Sequence, residues 1–281
     1  MADATLVEPD DVSIRTLQLG NTTLSGKFVQ GGMLLGKTVP GAAVSVDGKP
    51  LRITPEGDFV FGFGRDAPAT ATLEVKEPGR KPIKETLRVA QRKYNIQKVE
   101  GVPQRTVTPS KESLARIRKE TAQVKQARAT DSDLTYFLQR FQWPLIGPLT
   151  GFYGSQRYYN GEPRRPHYGL DIAAPEGTLV YAPADGVVTL AHPDMFYSGG
   201  TLIMDHGYGI SSTFIHLSEV LVKKGDKVSQ GDPVARVGAG GRATGPHLDW
   251  RINWYDVRLD PQLIMPPMVT PPDEKKASAE Q

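Results

Sequence analysis

Three histidines and two aspartates in the second half of the chain fall in a pattern that could hold a metal ion beside proton carriers. His167 and Asp171 are separated by three residues in PHYGLDIAAPEGTLV, His216 ends an apolar alternation in STFIHLSEV, and His247 and Asp249 stand two residues apart in ATGPHLDWR. In an extended strand residues i and i+2 point to the same face, so His247 and Asp249 project side by side into one space. Three separated segments that each bring a potential ligand or proton carrier are what a metal site assembled on a sheet requires.

The elements that must position these residues are strands. Gly (29) and Pro (23) are spread through the chain as turn punctuation, which favours many short strands over long helices and a mainly β fold. Residues 141–265 contain APADGVVTLA, GTLIMDHG and KKGDKVSQGDPVARVG, glycine-punctuated strands that predict a C-terminal antiparallel β-barrel or folded sheet. Residues 12–98 carry SIRTLQL, AAVSVDG, LRITP, DFVFGFG, ATLEVKE and ETLRVAQ, separated by turn-forming PG, DGK, PEGD and EPGRK, which predicts an N-terminal β-sandwich. None of the five histidines precedes residue 167, so the sandwich offers no candidate site.

Residues 99–140 read as a linker with an amphipathic helix, since TPSKESLARIRKETAQVKQARA sets Leu114, Ile117, Thr121 and Val124 at spacings of three and four. Pro109 or Ser110 can start this helix, with Glu112 in its first turn. Its interleaved glutamates favour a connector packed along one apolar stripe over a basic helix for an anionic surface. Residues 1–11 and the proline-rich, then charged, tail of residues 266–281 are expected to be disordered.

Composition excludes several functions. A net charge of +3 with no basic run argues against nucleic acid as a partner. The absence of cysteine rules out disulfides and thiolate metal sites and fits an oxidising compartment. No apolar stretch is long enough for a transmembrane segment. The opening MADATLVEPDD lacks basic and apolar signal regions, yet an Ala-rich start before polar sequence is what remains after a signal peptide is removed, so a mature exported chain is expected.

The run from about Leu145 to Pro261 resembles the lysostaphin-type, or LytM-type, zinc endopeptidases that cut peptidoglycan cross-bridge peptides. HYGLD, APEGT, ADGVV, FIHLS, VKKGDKVSQGD and ATGPHL occur in that family's order and cover somewhat under half of the chain. The stretch RYYNGEPRRPHYGLDIAAP is similar to the Gram-negative branch, whose members often carry an N-terminal β domain and act in the periplasm. The resemblance implies zinc as cofactor, peptidoglycan as substrate, and a D-alanyl to diaminopimelyl bond as the one cut. It makes His167 and Asp171 metal ligands and gives His216 and His247 the proton transfer and oxyanion stabilisation. The family's third ligand is normally the second histidine of an HxH triplet, and here that position is Asp249.

Carboxylate oxygen can replace imidazole nitrogen on zinc at a similar distance, so the site still offers three ligands. Two carboxylates on one dication should weaken its polarising field and shift preference toward harder ions such as manganese. A histidine restored at position 249 is then expected to raise hydrolysis. The alternative is a degenerate domain that binds peptidoglycan or activates a partner cell-wall amidase without catalysis. Of the other candidates, His192 in AHPDMF reads as a surface loop residue and His206 in MDHGYG as a turn residue bonding local backbone. Arg157, Arg164 and Arg165 suit stem-peptide carboxylates or plain solvent, and Tyr158 and Tyr159 a groove wall or its rim.

Overall fold

A computed structural model describes residues 12–101 and 109–268. The expected disordered residues 1–11, and residues 269–281 of the expected tail, lie outside the described residues. The described start of that tail is packed: Trp143 Nε1 donates to the Pro266 carbonyl at 3.0 Å, and Met268 rests on the core.

The N-terminal part is the expected sandwich. Strands β1 (Arg15–Leu19), β2 (Thr22–Gly26), β3 (Met33–Lys37), β4 (Ala43–Val46), β5 (Lys49–Pro50), β6 (Asp58–Gly62), β7 (Thr70–Lys76) and β8 (Ile83–Arg88) form two antiparallel four-stranded sheets, ordered β1-β2-β3-β6 and β5-β4-β7-β8. Leu24, Leu34, Phe59 and Phe61 from the first sheet meet Val44, Leu73, Val75 and Leu87 from the second, as period-two alternation demands. Gly36 makes room for the ring of its cross-strand partner Phe59 to lie across it, because a Cβ there would overlap that ring.

The strand β9 (Ile96–Val99) leaves the sandwich and pairs in parallel with β11 (Gln156–Tyr159), straddling the boundary expected at residue 98. Helix α1 (Lys111–Arg128) follows, with the Ser110 hydroxyl accepting from Ser113 N at 3.3 Å as its N-cap. Its C-terminal half packs through Val124 and Ala127 on Leu190, Met195 and Ile203, while Leu114 remains exposed. Glu120 fixes the docking by accepting from Phe196 N at 2.8 Å.

The C-terminal part is built on one ten-stranded sheet. It contains β10 (Leu149–Gly151), β13 (Leu170–Ala173), β14 (Leu179–Tyr181), β15 (Gly186–Met195), β16 (Gly199–Gly207), β17 (Ile210–Val220), β18 (Lys227–Val228), β19 (Pro233–Val237), β20 (His247–Trp254) and β21 (Val257–Leu259). The two-residue β12 (Glu162–Pro163) completes the small sheet with β11 and β9, and the short helix α2 (Pro261–Ile264) closes the described chain. The main path runs β10-β13-β20-β17-β16-β15-β18. Every pairing in it is antiparallel.

The two parts share packing. In β6, Phe59 and Phe61 face the sandwich core while Val60, on the opposite face, joins the core of the large sheet. A buried ion pair between Arg92 and Asp260, at 2.7 Å, joins the two at another point. Among the described residues no helix is long and apolar enough to cross a membrane.

Candidate metal centre

The strand β20 shows how the sheet sorts chemistry from core. Leu248, Trp250 and Ile252 are fully buried in the apolar interior, so His247, Asp249 and Arg251 share the other face. Asp249 lies directly opposite Asp171 of β13 and opposite Ile215 of β17, and His247 lies opposite Ala173. Cross-strand partners have Cβ atoms about 4.5–5.5 Å apart, so the register alone puts the two carboxylates side by side.

His167 precedes β13 and is held by its backbone, its N donating to Ser155 O at 2.8 Å and its carbonyl accepting from Gly154 N at 2.7 Å. His167, Asp171 and Asp249 are all buried and offer ligand atoms within 4.8 Å of one another. His167 Nε2 stands 3.0 Å from Asp171 Oδ1, and His167 Nδ1 stands 3.9 Å from Asp249 Oδ2. Among the described residues, both His167 ring nitrogens and Asp171 Oδ1 are buried without a hydrogen-bond partner. Buried polar atoms are ordinarily satisfied, so three orphans at one point are what a cation-binding site presents. Zinc fits this donor set.

Each carboxylate also has its own arginine. Arg157 Nη2 donates to Asp171 Oδ2, and Arg157 Nε is fixed by Gln97 Oε1 at 2.9 Å, so β9 reaches into the site. Arg251 donates from Nε to Asp249 Oδ1 at 2.9 Å and from Nη2 to Asp249 Oδ2 at 2.6 Å. Burial pushes both carboxyl pKa values up. His167 and Arg157 outweigh it for Asp171, and Arg251 and His167 for Asp249, leaving Asp171 well below the usual carboxylate range and Asp249 at about 2. Each pair lies over a glycine: a Cβ on Gly151 would collide with Asp171 Oδ2, and one on Gly169 with Asp249 Oδ1.

His216 reaches the same space through a bulge. Phe214 faces the core and Ile215 the site, so strict alternation would return His216 to the core. A register shift between β16 and β17 at this point, with His216 at a left-handed φ of 66°, turns the ring toward His247 instead. The two ring centroids lie 4.9 Å apart. His216 Nδ1 contacts Gly240 O at 2.8 Å and His247 Nδ1 contacts Gly245 O at 2.8 Å. A carbonyl only accepts, so each Nδ1 carries the proton and each Nε2 faces the site. Burial pushes the His216 pKa down to about 4, which keeps that ring neutral near pH 7.

Three expectations from sequence change. Arg157 is buried against Asp171, because a carboxylate in that position needs a countercharge, and it neither meets solvent nor stands free for substrate. His206 is fully buried in β16, with Nδ1 2.7 Å from Asp185 O and Nε2 2.8 Å from Ser212 Oγ, so it is a core residue and not a turn residue. His192 lies within β15, not in a loop, and its Nδ1 accepts from Asp194 N at 3.1 Å. Sequence reasoning missed Gln97 and Arg251; the position of Arg251, two residues after Asp249 on one strand, was the available signal.

Two cavities open here. One of about 160 Å³ is lined by Gln97, Thr150, Asp171, His216 and His247. A larger one, about 1120 Å³, runs between the sandwich and the large sheet past His167, Arg165, Arg258 and Tyr168. Arg157, Tyr159 and Arg242 line both.

Comparisons with known proteins converge on this region. The profile of peptidase family M23 matches residues 165–261. The chain is 42% identical over 104 residues to peptidoglycan DD-endopeptidase ShyA of Vibrio cholerae, a match covering 33% of this chain and 24% of the relative. It is 36% identical over 116 residues to DD-carboxypeptidase/endopeptidase Mpg of Neisseria meningitidis, covering 41% of this chain and 25% of the relative. The matched region thus spans about a quarter of the length of these curated relatives. A crystal structure of an M23 peptidase from Pseudomonas aeruginosa is 32% identical, with a TM-score of 0.64, and the match covers 85% of this chain and 95% of that one.

Proposed function

The chain belongs to peptidase family M23, and from that premise we propose that it is a zinc-dependent endopeptidase that hydrolyses cross-bridge peptides of peptidoglycan in the periplasm. One observation carries the reading: buried, unpartnered nitrogen and oxygen atoms of His167 and Asp171 converge with Asp249 beside a pair of histidines whose Nε2 atoms face the same space. The DD-endopeptidase names of the curated relatives support the D-alanyl to diaminopimelyl bond as the target. The arginine-rich cleft beside the site, with Arg165, Arg242 and Arg258, suits a peptide that carries free carboxylates.

His167, Asp171 and Asp249 would hold the metal. When bound, zinc supplies Lewis-acid polarisation of the scissile carbonyl and a lowered pKa for the attacking water. His216, neutral and with its Nδ1 proton committed to Gly240 O, presents a bare Nε2 lone pair and takes the proton of the water as general base. The same Nε2 then carries that proton to the leaving amine. His247, whose Nδ1–H is held by Gly245 O, turns Nε2 toward the developing oxyanion and donates to it in the doubly protonated form of the ring. Arg157 and Gln97 keep Asp171 oriented, and β9 narrows the access of water to the smaller cavity.

Digestion of purified peptidoglycan tests the proposal. Dimeric muropeptides should be converted to monomers, the activity should vanish with a chelator, and zinc should restore it. Intact dimers in the presence of folded, zinc-bound protein would sink it. The pairing of both Asp249 oxygens with Arg251 favours a second reading, a domain that binds peptidoglycan or activates a cell-wall amidase without cutting. A folded chain that takes up neither zinc nor manganese, yet still sediments with peptidoglycan, would establish it.

A further inference from the structure

Two carboxylates that face each other across neighbouring strands and are shut off from water repel one another and cost several kcal/mol each to desolvate (about that order in proteins). Asp171 meets this with one arginine contact and keeps Oδ1 open. Asp249 meets it differently: Arg251 grips both oxygens in a fork, and both side chains are largely withdrawn from solvent, with 22% exposure for Arg251 and 1% for Asp249. The room for that fork is provided by Gly169, whose position admits no Cβ beside Asp249 Oδ1 and the stem of Arg251. Each carboxylate oxygen has two lone pairs, and a bidentate guanidinium takes one from each, so Asp249 keeps lone pairs for another partner.

We propose that Arg251 is the charge partner that makes Asp249 act as a net-neutral oxygen ligand, as Arg157 does for Asp171, so that the centre of His167, Asp171 and Asp249 presents a metal with two carboxylates whose charges are both matched by the protein. This deepens the zinc reading above and rests on it. Asp249 and Arg251 form one unit, and position 249 cannot be altered without regard to position 251. A histidine at 249 is neutral by itself, and beside it Arg251 becomes a buried cation with no counterion, placed next to a dication. The sequence-based expectation that Asp249→His improves the centre is therefore reversed, unless Arg251 is neutralised at the same time.

Zinc titration against a chromophoric chelator, with the parent chain, Asp249→His, Arg251→Met, Arg251→Lys and the double variant Asp249→His/Arg251→Met, tests this without any use of turnover. Asp249→His should bind zinc at least about tenfold more weakly than the double variant, in the range typical for changes around a metal's ligands. Arg251→Lys, which keeps the charge and loses the fork, should bind more tightly than Asp249→His and remain closest to the parent. Thermal melts of the metal-free proteins identify any variant that does not fold, and Asp249→Asn with and without Arg251→Met replaces the histidine pair if needed. If zinc affinity of the histidine or asparagine variant is the same with and without Arg251 while the parent binds zinc, this inference fails and the zinc reading stands. A folded parent that takes up no zinc overturns both.

Discussion

Strands β7 and β20 obey the same alternation and put it to opposite use. In β7, Ala71, Leu73 and Val75 enter the sandwich core while Thr70, Thr72 and Lys76 stand in solvent, where water satisfies each polar group. In β20, Leu248, Trp250 and Ile252 enter the core, but the polar face is covered too, by β9, β11 and the segment around His167. Burial of the second face is what converts a row of polar residues into a site. Once water is excluded, each charge must find a protein partner or a ligand, and the unsatisfied remainder marks where chemistry occurs.

The sharpest break in the comparison comes from the histidines over the covered face. His216→Ala and His247→Ala should each lower release of muropeptides about 10²–10⁴-fold, the usual loss for a general acid or base, with zinc content unchanged by metal analysis. A variant that loses zinc along with activity would reassign that histidine as a ligand.

Next come the charge pairs. Arg157→Met leaves Asp171 Oδ2 buried without its cation and should destabilise metal-free protein by about 3–5 kcal/mol in urea unfolding. Lys84 and Glu74, which pair at 3.0 Å on the open face of the sandwich, are the solvent-exposed counterpart. Equal effects at the two places would mean that covering the face has no energetic consequence.

His206 sharpens the comparison within the core of the large sheet. Burial pushes its pKa from 6.5 down to about 4. An unfolded chain therefore takes up the proton first as pH falls. The stability due to the neutral ring is complete above pH 6.5 and is lost progressively between there and about pH 4, by about 3 kcal/mol in total. Urea unfolding across this range should show a steeper decline for the parent than for His206→Gln; parallel curves would remove His206 as the cause. The smallest effect is expected for Lys84→Met, below about 1 kcal/mol and fading with added salt, as for exposed ion pairs generally.

Much of this was legible in the sequence because it depends on local periodicity. Alternation in DFVFGFG and ATLEVKE marks β6 and β7, and the i, i+2 spacing of HLD puts His247 and Asp249 on one face. Ser110 and Glu112 announce the start of α1. Alternation does not say whether the polar face of a strand will meet water, so Arg157 read as a solvated or substrate-facing group and is instead a buried counterion. His206 read as a turn residue because GYG follows it, but β16 runs on through Gly207 and carries the ring into the core.

By itself, then, the sequence determined the β-rich character, the sandwich, the residue types available as candidate ligands and the same-face relation of His247 and Asp249, because each follows from residue chemistry or from a repeat of two along one strand. Only the tertiary structure decided the cross-strand register that sets Asp171 against Asp249, the bulge that swings His216 out of the core, and the reach of Gln97 from β9 to Arg157. These link residues from 17 positions apart, Gly200 and Leu217 at the bulge, to 78, Asp171 and Asp249, and no local pattern encodes them: they result from which strands pair, where one extra residue is accommodated, and which buried charges remain to be matched once the strands have closed.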